Sequence, residues 1–357
     1  MIDLKKYGYI PLPEVEDIDD LIPARITEVH REIYKVISKH GEKNARLKGS
    51  IYNNLEYSAD FPAIGDFVLI KYNEFGDSII IKILDRMSKF SRSDDSGHAN
   101  GYVKTVLEQV VAANFDYVFI MVSLNYDFNV NRIQRYLTVA WQSGAVPVVV
   151  LTKADLVEDY NEKIQLVEKY VLGVDIIAVS ALTGLGLDRL SKYMKPAKTL
   201  VFLGSSGVGK SSLVNALAGE EIMHVSSIRE NDSKGRHTTT HRQLIMLKNG
   251  VMIIDTPGMR ELGIWNISEG LGEVFSDIEE LFTKCKFSNC NHQTEPNCAI
   301  LEAIENGTLE QSRWDNYLKL KREAKFTEDK AKYVREQSEK WKKMNRNRRK
   351  NLKARYK

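Results

Sequence analysis

The stretch KTLVFLGSSGVGKSSLVNAL, residues 198–217, constrains the fold more than any other. An apolar run leads into a glycine-rich turn, and the turn leads into a helical pattern. Gly204, Gly209, Lys210 and Ser211 fit G-x-x-x-x-G-K-[ST], in the strand–loop–helix setting that the motif requires. Such a loop cradles phosphates. The backbone N–H groups of Gly204, Ser205, Ser206, Gly207, Val208 and Gly209 curl around the β-phosphate, and Ser212 lies in the helix's first turn. The helix N-terminus adds positive potential. Lys210 is placed to bridge β- and γ-phosphates and to assist transfer, and the Ser211 hydroxyl to ligate Mg²⁺.

A second apolar run, VMIIDTPGMREL, ends in Asp255-Thr256-Pro257-Gly258. Its strand-end carboxylate is a second candidate Mg²⁺ holder, and the Gly258 N–H a sensor of the γ-phosphate. Between the two lies GRHTTTH, residues 235–241. Thr239 is the favoured residue to close over Mg²⁺, with Thr238 and Thr240 as alternates.

About fifty residues before the phosphate loop, VVVLTKADL ends an apolar run in Thr152-Lys153-Ala154-Asp155. Asp155 can accept from N1–H and N2–H₂ of guanine, and Lys153 can lie along the base. Adenine lacks both donors and would strand the carboxylate, the kind of mismatch that rejects a ligand strongly. Thr152 stands where Asn is commoner, which leaves one hydrogen bond of that loop open. VSALTG, residues 179–184, resembles the second base loop, with Ser180 and Ala181 near O6. The order is base loops, phosphate loop, then switches. Joining the old ends of a nucleotide domain and cutting elsewhere gives this order, because domain termini often lie close together. The sequence predicts circular permutation.

The surrounding runs agree. DYVFIMVSL, VPVVVLT and VDIIAVS are almost wholly apolar, as strands buried on both faces are. They alternate with helical patterns in FNVNRIQRYLTVAWQSG, DYNEKIQLVEKYVLG and LDRLSKYM. That alternation predicts a mostly parallel sheet with helices on both faces. Upstream, ARITEVH, EIYKVISK, NARLKGSIY, DFVLIKY and SIIIKIL read as five short strands, the count of an OB-type barrel. A barrel of this kind either binds oligonucleotide or packs against its neighbour. SRSDDSGHANG reads as a linker, and there are no internal repeats. The expected domains are a barrel with an N-terminal extension (1–90), a linker (91–108), a permuted nucleotide domain (109–268), a Cys-containing helical domain (269–330) and a basic tail (331–357).

All three cysteines fall in CKFSNCNHQTEPNC. Cys285, Cys290, His292 and Cys298 are four N/S ligands spaced for one closed, structural Zn²⁺. Without a secretory leader, an odd count speaks against a disulfide framework. Trp314, Tyr317 and Leu318 in SRWDNYLKLKREAKF form an apolar face expected to pack on this module. Ten of the 51 Lys/Arg residues lie between Lys340 and Lys357 with no acid, leaving 41 basic against 48 acidic residues elsewhere. A basic tail on a mildly acidic body favours a polyanionic partner, and Trp341 and Tyr356 add rings that can stack on bases. No apolar run approaches a membrane span. The expected protein is cytoplasmic, monomeric and not bound to membrane.

With QVVAANFDYVFIMVSL, GRHTTTH and the C-x4-C-x-H-x5-C spacing, the chain resembles the circularly permuted, ribosome small subunit-dependent GTPases called RsgA, over roughly residues 20 to 325. The resemblance implies a late assembly factor. It would bind the small ribosomal subunit and its rRNA, hydrolyse GTP to GDP and phosphate in response, and leave. Met259 follows DTPG where many GTPases carry a water-orienting Gln, so turnover should be slow alone and stimulated by the partner. His237 and His241 are both candidates for orienting the attacking water. Gly207 stands where potassium-dependent relatives carry Asn, so potassium is not invoked. The competing readings are a non-ribosomal RNA-binding guanine-nucleotide sensor and an ATP-using P-loop enzyme.

Overall fold

The computed structural model describes residues 1–11, 20–30, 33–49, 61–94, 107–125, 128–223, 242–255 and 268–325. The first five strands are β1 (Leu21–Val29), β2 (Tyr34–Ser38), β3 (Gly41–Leu47), β4 (Phe67–Lys71) and β5 (Ser78–Ile83). They close in the order β1-β2-β3-β5-β4-β1, with β3 and β5 parallel and the other pairs antiparallel. This is the five-stranded barrel the spacing predicted. Inward-facing Ala24, Ile26, Val36, Val68, Ile70 and Ile80 fill it.

β6 (Lys89–Asp94) and β7 (Leu107–Ala113) form a separate two-stranded ribbon. The segment read as a linker therefore starts and ends inside strands, and only 95–106 lies outside the described residues. The strands were hidden because their exposed face is polar. Lys89 and Ser91 both reach Glu108, and Arg92 donates to Gln109.

The second half of the sheet comprises β8 (Tyr117–Ser123), β9 (Val146–Thr152), β10 (Asp175–Ala178), β11 (Thr199–Gly204), β12 (Arg242–Met246) and β13 (Met252–Asp255). Their order is β10-β9-β8-β11-β13-β12, all parallel except β12. Helix α1 (Val130–Gln142) joins β8 to β9, and α2 (Asn161–Glu168) joins β9 to β10. The LDRLSKYM segment forms a 3-10 helix, Asp188–Tyr193, rather than an α-helix. Helix α3 (Lys210–Ala218) follows β11. Asn129 caps α1 by accepting from the Arg132 N–H at 3.1 Å, an ordinary Ncap contact.

The two halves are one sheet. β1 carries a bulge between Ile26 and Glu28. Its first half pairs with β4, and Glu28 and Val29 pair with Gln243 and Arg242 of β12. Bulges of this kind re-aim a strand.

The C-terminal module holds α4 (Ser268–Val274), α5 (Ser276–Thr283), α6 (Ala299–Glu305) and α7, which runs over 311–325. Among the described residues it has no core of its own. Phe275, Ile278, Ile300, Trp314 and Tyr317 share one buried cluster with Ile133, Leu137 and Ala140 of α1. Trp314 and Tyr317 are buried as expected, but Leu320 rather than Leu318 completes the deeply buried face. α4 crosses α1 at Gly270, where a Cβ would lie 2.1 Å from the Thr138 carbonyl oxygen.

Candidate functional site

Chain order runs outward from β8 to β10 on one side and from β11 to β13 on the other. The order of strand connection reverses between the parallel neighbours β8 and β11, and ligands of open α/β sheets bind at the carboxyl ends around such a point. The phosphate loop begins there, at the end of β11. At Gly204 a Cβ would sit 2.8 Å from the Met121 carbonyl oxygen of β8, so any side chain would push the loop away. Gly209, at φ +102°, is needed for its backbone alone, because nothing crowds it. It turns the chain into α3, whose Leu213 N–H returns to the Gly209 carbonyl at 2.9 Å. Ser211 and Ser212 stand in the first turn of that helix.

Lys210 Nζ lies 2.5 Å from Asp255 Oδ1. Asp255 ends the neighbouring parallel strand β13 and is only 3 % exposed, whereas the Lys210 side chain remains 30 % exposed. A cation and a carboxylate thus meet at the mouth of the phosphate loop, where triphosphate oxygens and a divalent cation must be held together.

The two base loops lie beside each other because β9 and β10 are neighbours. Ala154 N–H donates to Val179 O at 3.1 Å, and Val179 N–H donates to Leu151 O at 2.8 Å. Lys153 is left-handed at φ 59°, and Asp155 is exposed at the rim. Ser180 is fully buried, and its Oγ accepts from the Thr183 N–H at 3.1 Å. Ala181 follows it, half-buried. The hydrogen bond left open at Thr152 is made: its hydroxyl donates to the Val208 carbonyl at 2.6 Å. Both residues are buried. Thr152 therefore braces the base loop against the phosphate loop, a contact between positions 56 residues apart in sequence.

The ligand atoms of Cys285, Cys290, His292 and Cys298 all lie within 4.8 Å of one another. His292 Nδ1 is 3.5 Å from both Cys285 Sγ and Cys298 Sγ. A tetrahedral Zn²⁺ bound to sulfur and imidazole sets that edge at about 3.6 Å, so the Cys₃His group is compatible with one zinc ion. Burial and the nearby Lys321 hold the imidazole below its usual value, favouring the neutral form that ligates. Burial, together with hydrogen bonds to the neighbouring thiols, pushes the Cys290 thiol up to about 11. A cation would reverse that penalty. The Phe282 ring stacks on His292, centroids 4.5 Å apart.

Sequence reading missed Glu295. It draws the ligand loop together by accepting from the N–H groups of Asn291, Gln293 and Thr294 at 2.9, 3.0 and 3.1 Å. Those donors hold its carboxyl down at about 2. A glutamate inside a Cys/His spacing carries no sign of this role.

Thr238, Thr239, Thr240, His237, His241, Gly258, Met259 and the basic tail lie outside the described residues.

A phosphate loop at the switch point, reached only after the base loops, defines the class: a circularly permuted P-loop GTPase. Comparison with known proteins narrows it. The family model described as RsgA GTPase matches residues 83–265. "Small ribosomal subunit biogenesis GTPase RsgA 1" of Listeria monocytogenes is 45% identical over 334 residues, covering 93% of this chain and 92% of its own. The RsgA of Methanosarcina acetivorans is 38% identical, covering 87% and 81%. Among solved structures, YjeQ from Thermotoga maritima matches with TM-score 0.60 and 30% identity, covering 85% of this chain and 98% of its own. YloQ, described as a circularly permuted GTPase, matches with TM-score 0.57 and 26% identity, covering 86% and 96%. The chain belongs to the RsgA family of GTPases.

Proposed function

We propose that this chain hydrolyses GTP on the small ribosomal subunit late in the subunit's assembly, and that binding the subunit speeds the reaction. The observation that carries the reading is the Lys210–Asp255 pair at the phosphate-loop mouth, in a chain matched over nearly its whole length by proteins named for small-subunit biogenesis.

Each residue takes the role that its chemistry and its motif suit. Asp155 accepts from the guanine edge, with Lys153 along the base and Ser180 and Ala181 behind it. The phosphate-loop N–H groups and Lys210 hold the β- and γ-phosphates. Ser211 and Asp255, with Thr239, would hold Mg²⁺. When bound, that ion would supply positive charge that neutralises the phosphate oxygens. Met259 has no group to orient water, so that task falls to His237, His241 or the subunit itself. Cys285, Cys290, His292 and Cys298 would hold one structural Zn²⁺, which fixes the loop as a scaffold for rRNA contact. No helix among the described residues is long and apolar enough to cross a membrane. We place the protein in the cytoplasm as a monomer, with the β6–β7 ribbon between the barrel and the nucleotide domain and later domain limits near residues 268 and 330.

The test is GTP turnover with and without purified small subunits at two salt concentrations. Strong stimulation that weakens with salt is expected, because phosphate contacts release counterions. Tight guanine-nucleotide binding without stimulation would overturn the ribosomal reading, and ATP displacing GDP at equal concentration would overturn the guanine assignment.

A further inference from the structure

We infer that Arg25 is a positioning residue that ties the barrel to the strands carrying the phosphate loop and Asp255, and so transmits engagement of the barrel to the nucleotide site. Its side chain is only 1 % exposed although it lies on β1 of the barrel. The guanidinium reaches five separate segments. Nε donates to Gly65 O at 3.2 Å, within the barrel. Nη2 donates to Asn114 O at 2.7 Å, ahead of β8. Nη1 donates to Tyr7 O at 2.6 Å and to Thr199 Oγ1 at 3.0 Å, and lies 3.3 Å from Met252 Sδ.

Thr199 is the first residue of β11 and Met252 the first of β13. The far ends of these two strands are Gly204 and Asp255. One guanidinium therefore grips the rear ends of both strands whose front ends form the phosphate-loop mouth. Asp116 reinforces the grip, accepting from the Thr199 N–H at 2.8 Å and pairing with Lys198 at 2.6 Å.

Energetics favour a positioning role over simple packing. Among the described residues Arg25 donates to neutral acceptors alone, and Asp116 and Asp66 act on it through space. Burial pulls the guanidinium down to about 10, still charged at neutral pH. An apolar side chain would fill such a site at lower desolvation cost. What the apolar side chain cannot do is fix five segments in a set geometry through a planar fork of donors.

This inference rests on the subunit-stimulated reading above. The test compares full-length wild type, Arg25→Lys and Thr199→Val. Melting temperature, GDP affinity, subunit co-sedimentation, and single-turnover GTP hydrolysis with and without small subunits are measured on each. Lysine keeps the charge but loses the fork, and valine removes one β11 acceptor while keeping Arg25. Both variants are expected to bind GDP and subunits, and to turn over alone, as wild type does. Stimulation by subunits should fall about fivefold or more in Arg25→Lys, the scale of typical coupling between sites, and to a lesser degree in Thr199→Val. Full stimulation in folded variants would overturn the inference, as would a loss that merely tracks weaker subunit binding. Should Arg25→Lys fail to fold, Thr199→Val decides. A wild type that subunits do not stimulate would overturn the ribosomal reading and this inference together, whereas a stimulated wild type with unaffected variants overturns this inference alone.

Discussion

Thr152 shows how one hydroxyl can connect two loops that contact different ends of a nucleotide. Its hydrogen bond to Val208 O is buried at both ends. Replacing Thr152 by Val keeps the shape and leaves that carbonyl unpaired. Leaving a buried carbonyl unpaired costs about 1–3 kcal/mol; with about 1 kcal/mol of that borne by the binding-competent loop arrangement, the GDP Kd should rise roughly fivefold, as fluorescent-nucleotide titration would read. Base selectivity should hold, because Asp155 is untouched. An unchanged Kd would mean the loops are positioned independently. Sequence alone marked Thr152 as unusual but could not show its partner, since nothing in TKAD points to a carbonyl 56 residues downstream. The Cys₃His group, by contrast, was fully legible, because short spacing and ligand chemistry limit it to one arrangement.

Elements buried on both faces were read correctly from their apolar runs, and those with a polar face were not. β8, β9, β11 and β13 announce themselves. β6, β7 and β12 do not, since residues such as Ser91, Arg92, Arg242 and Gln243 sit on ribbon or junction strands where alternation is broken. The docking of α4 on α1 was equally invisible. It depends on an absent side chain: the Gly270 backbone N–H donates to Gln142 Oε1 at 3.1 Å, in a space that admits no Cβ. Asn316 donating to Gln134 at 2.5 Å and Arg135 pairing with Glu323 at 2.6 Å extend the contact along α1. Gly270→Ala should therefore destabilise the docked module by about 1–3 kcal/mol through overpacking. Gly272→Ala, two residues on, meets nothing within 4 Å and should be neutral or slightly stabilising, as Ala is the better helix former. Denaturant melts of the pair separate crowding from helix propensity; equal melts would refute the close approach.

At the scale of the whole molecule, the module is held to the base-reading side of the nucleotide domain, through α1, as well as by its covalent link after Asp255. The charge asymmetry belongs to this scale too. Removing residues 340–357 deletes ten cations. It should flatten the salt dependence of subunit binding, since each phosphate contact adds close to one to the log–log slope. Unstimulated GTP turnover should stay the same, because the nucleotide loops lie elsewhere in the sequence. An unaltered slope in sedimentation binding would show that the tail makes no phosphate contacts.

The permuted strand order also has a consequence for synthesis. β11 lies between β8 and β13 at the centre of the nucleotide sheet, yet it is made after β8, β9 and β10. Until Thr199–Gly204 leaves the ribosome that is translating it, β8 has one unpaired edge, flanked by Val118, Ile120 and Val122, all buried in the finished fold. An unpaired apolar edge is a template for wrong pairing. The nascent chain thus exposes an edge open to wrong pairing, and gains from chaperone shelter, between completing its base-reading loops and receiving its phosphate loop.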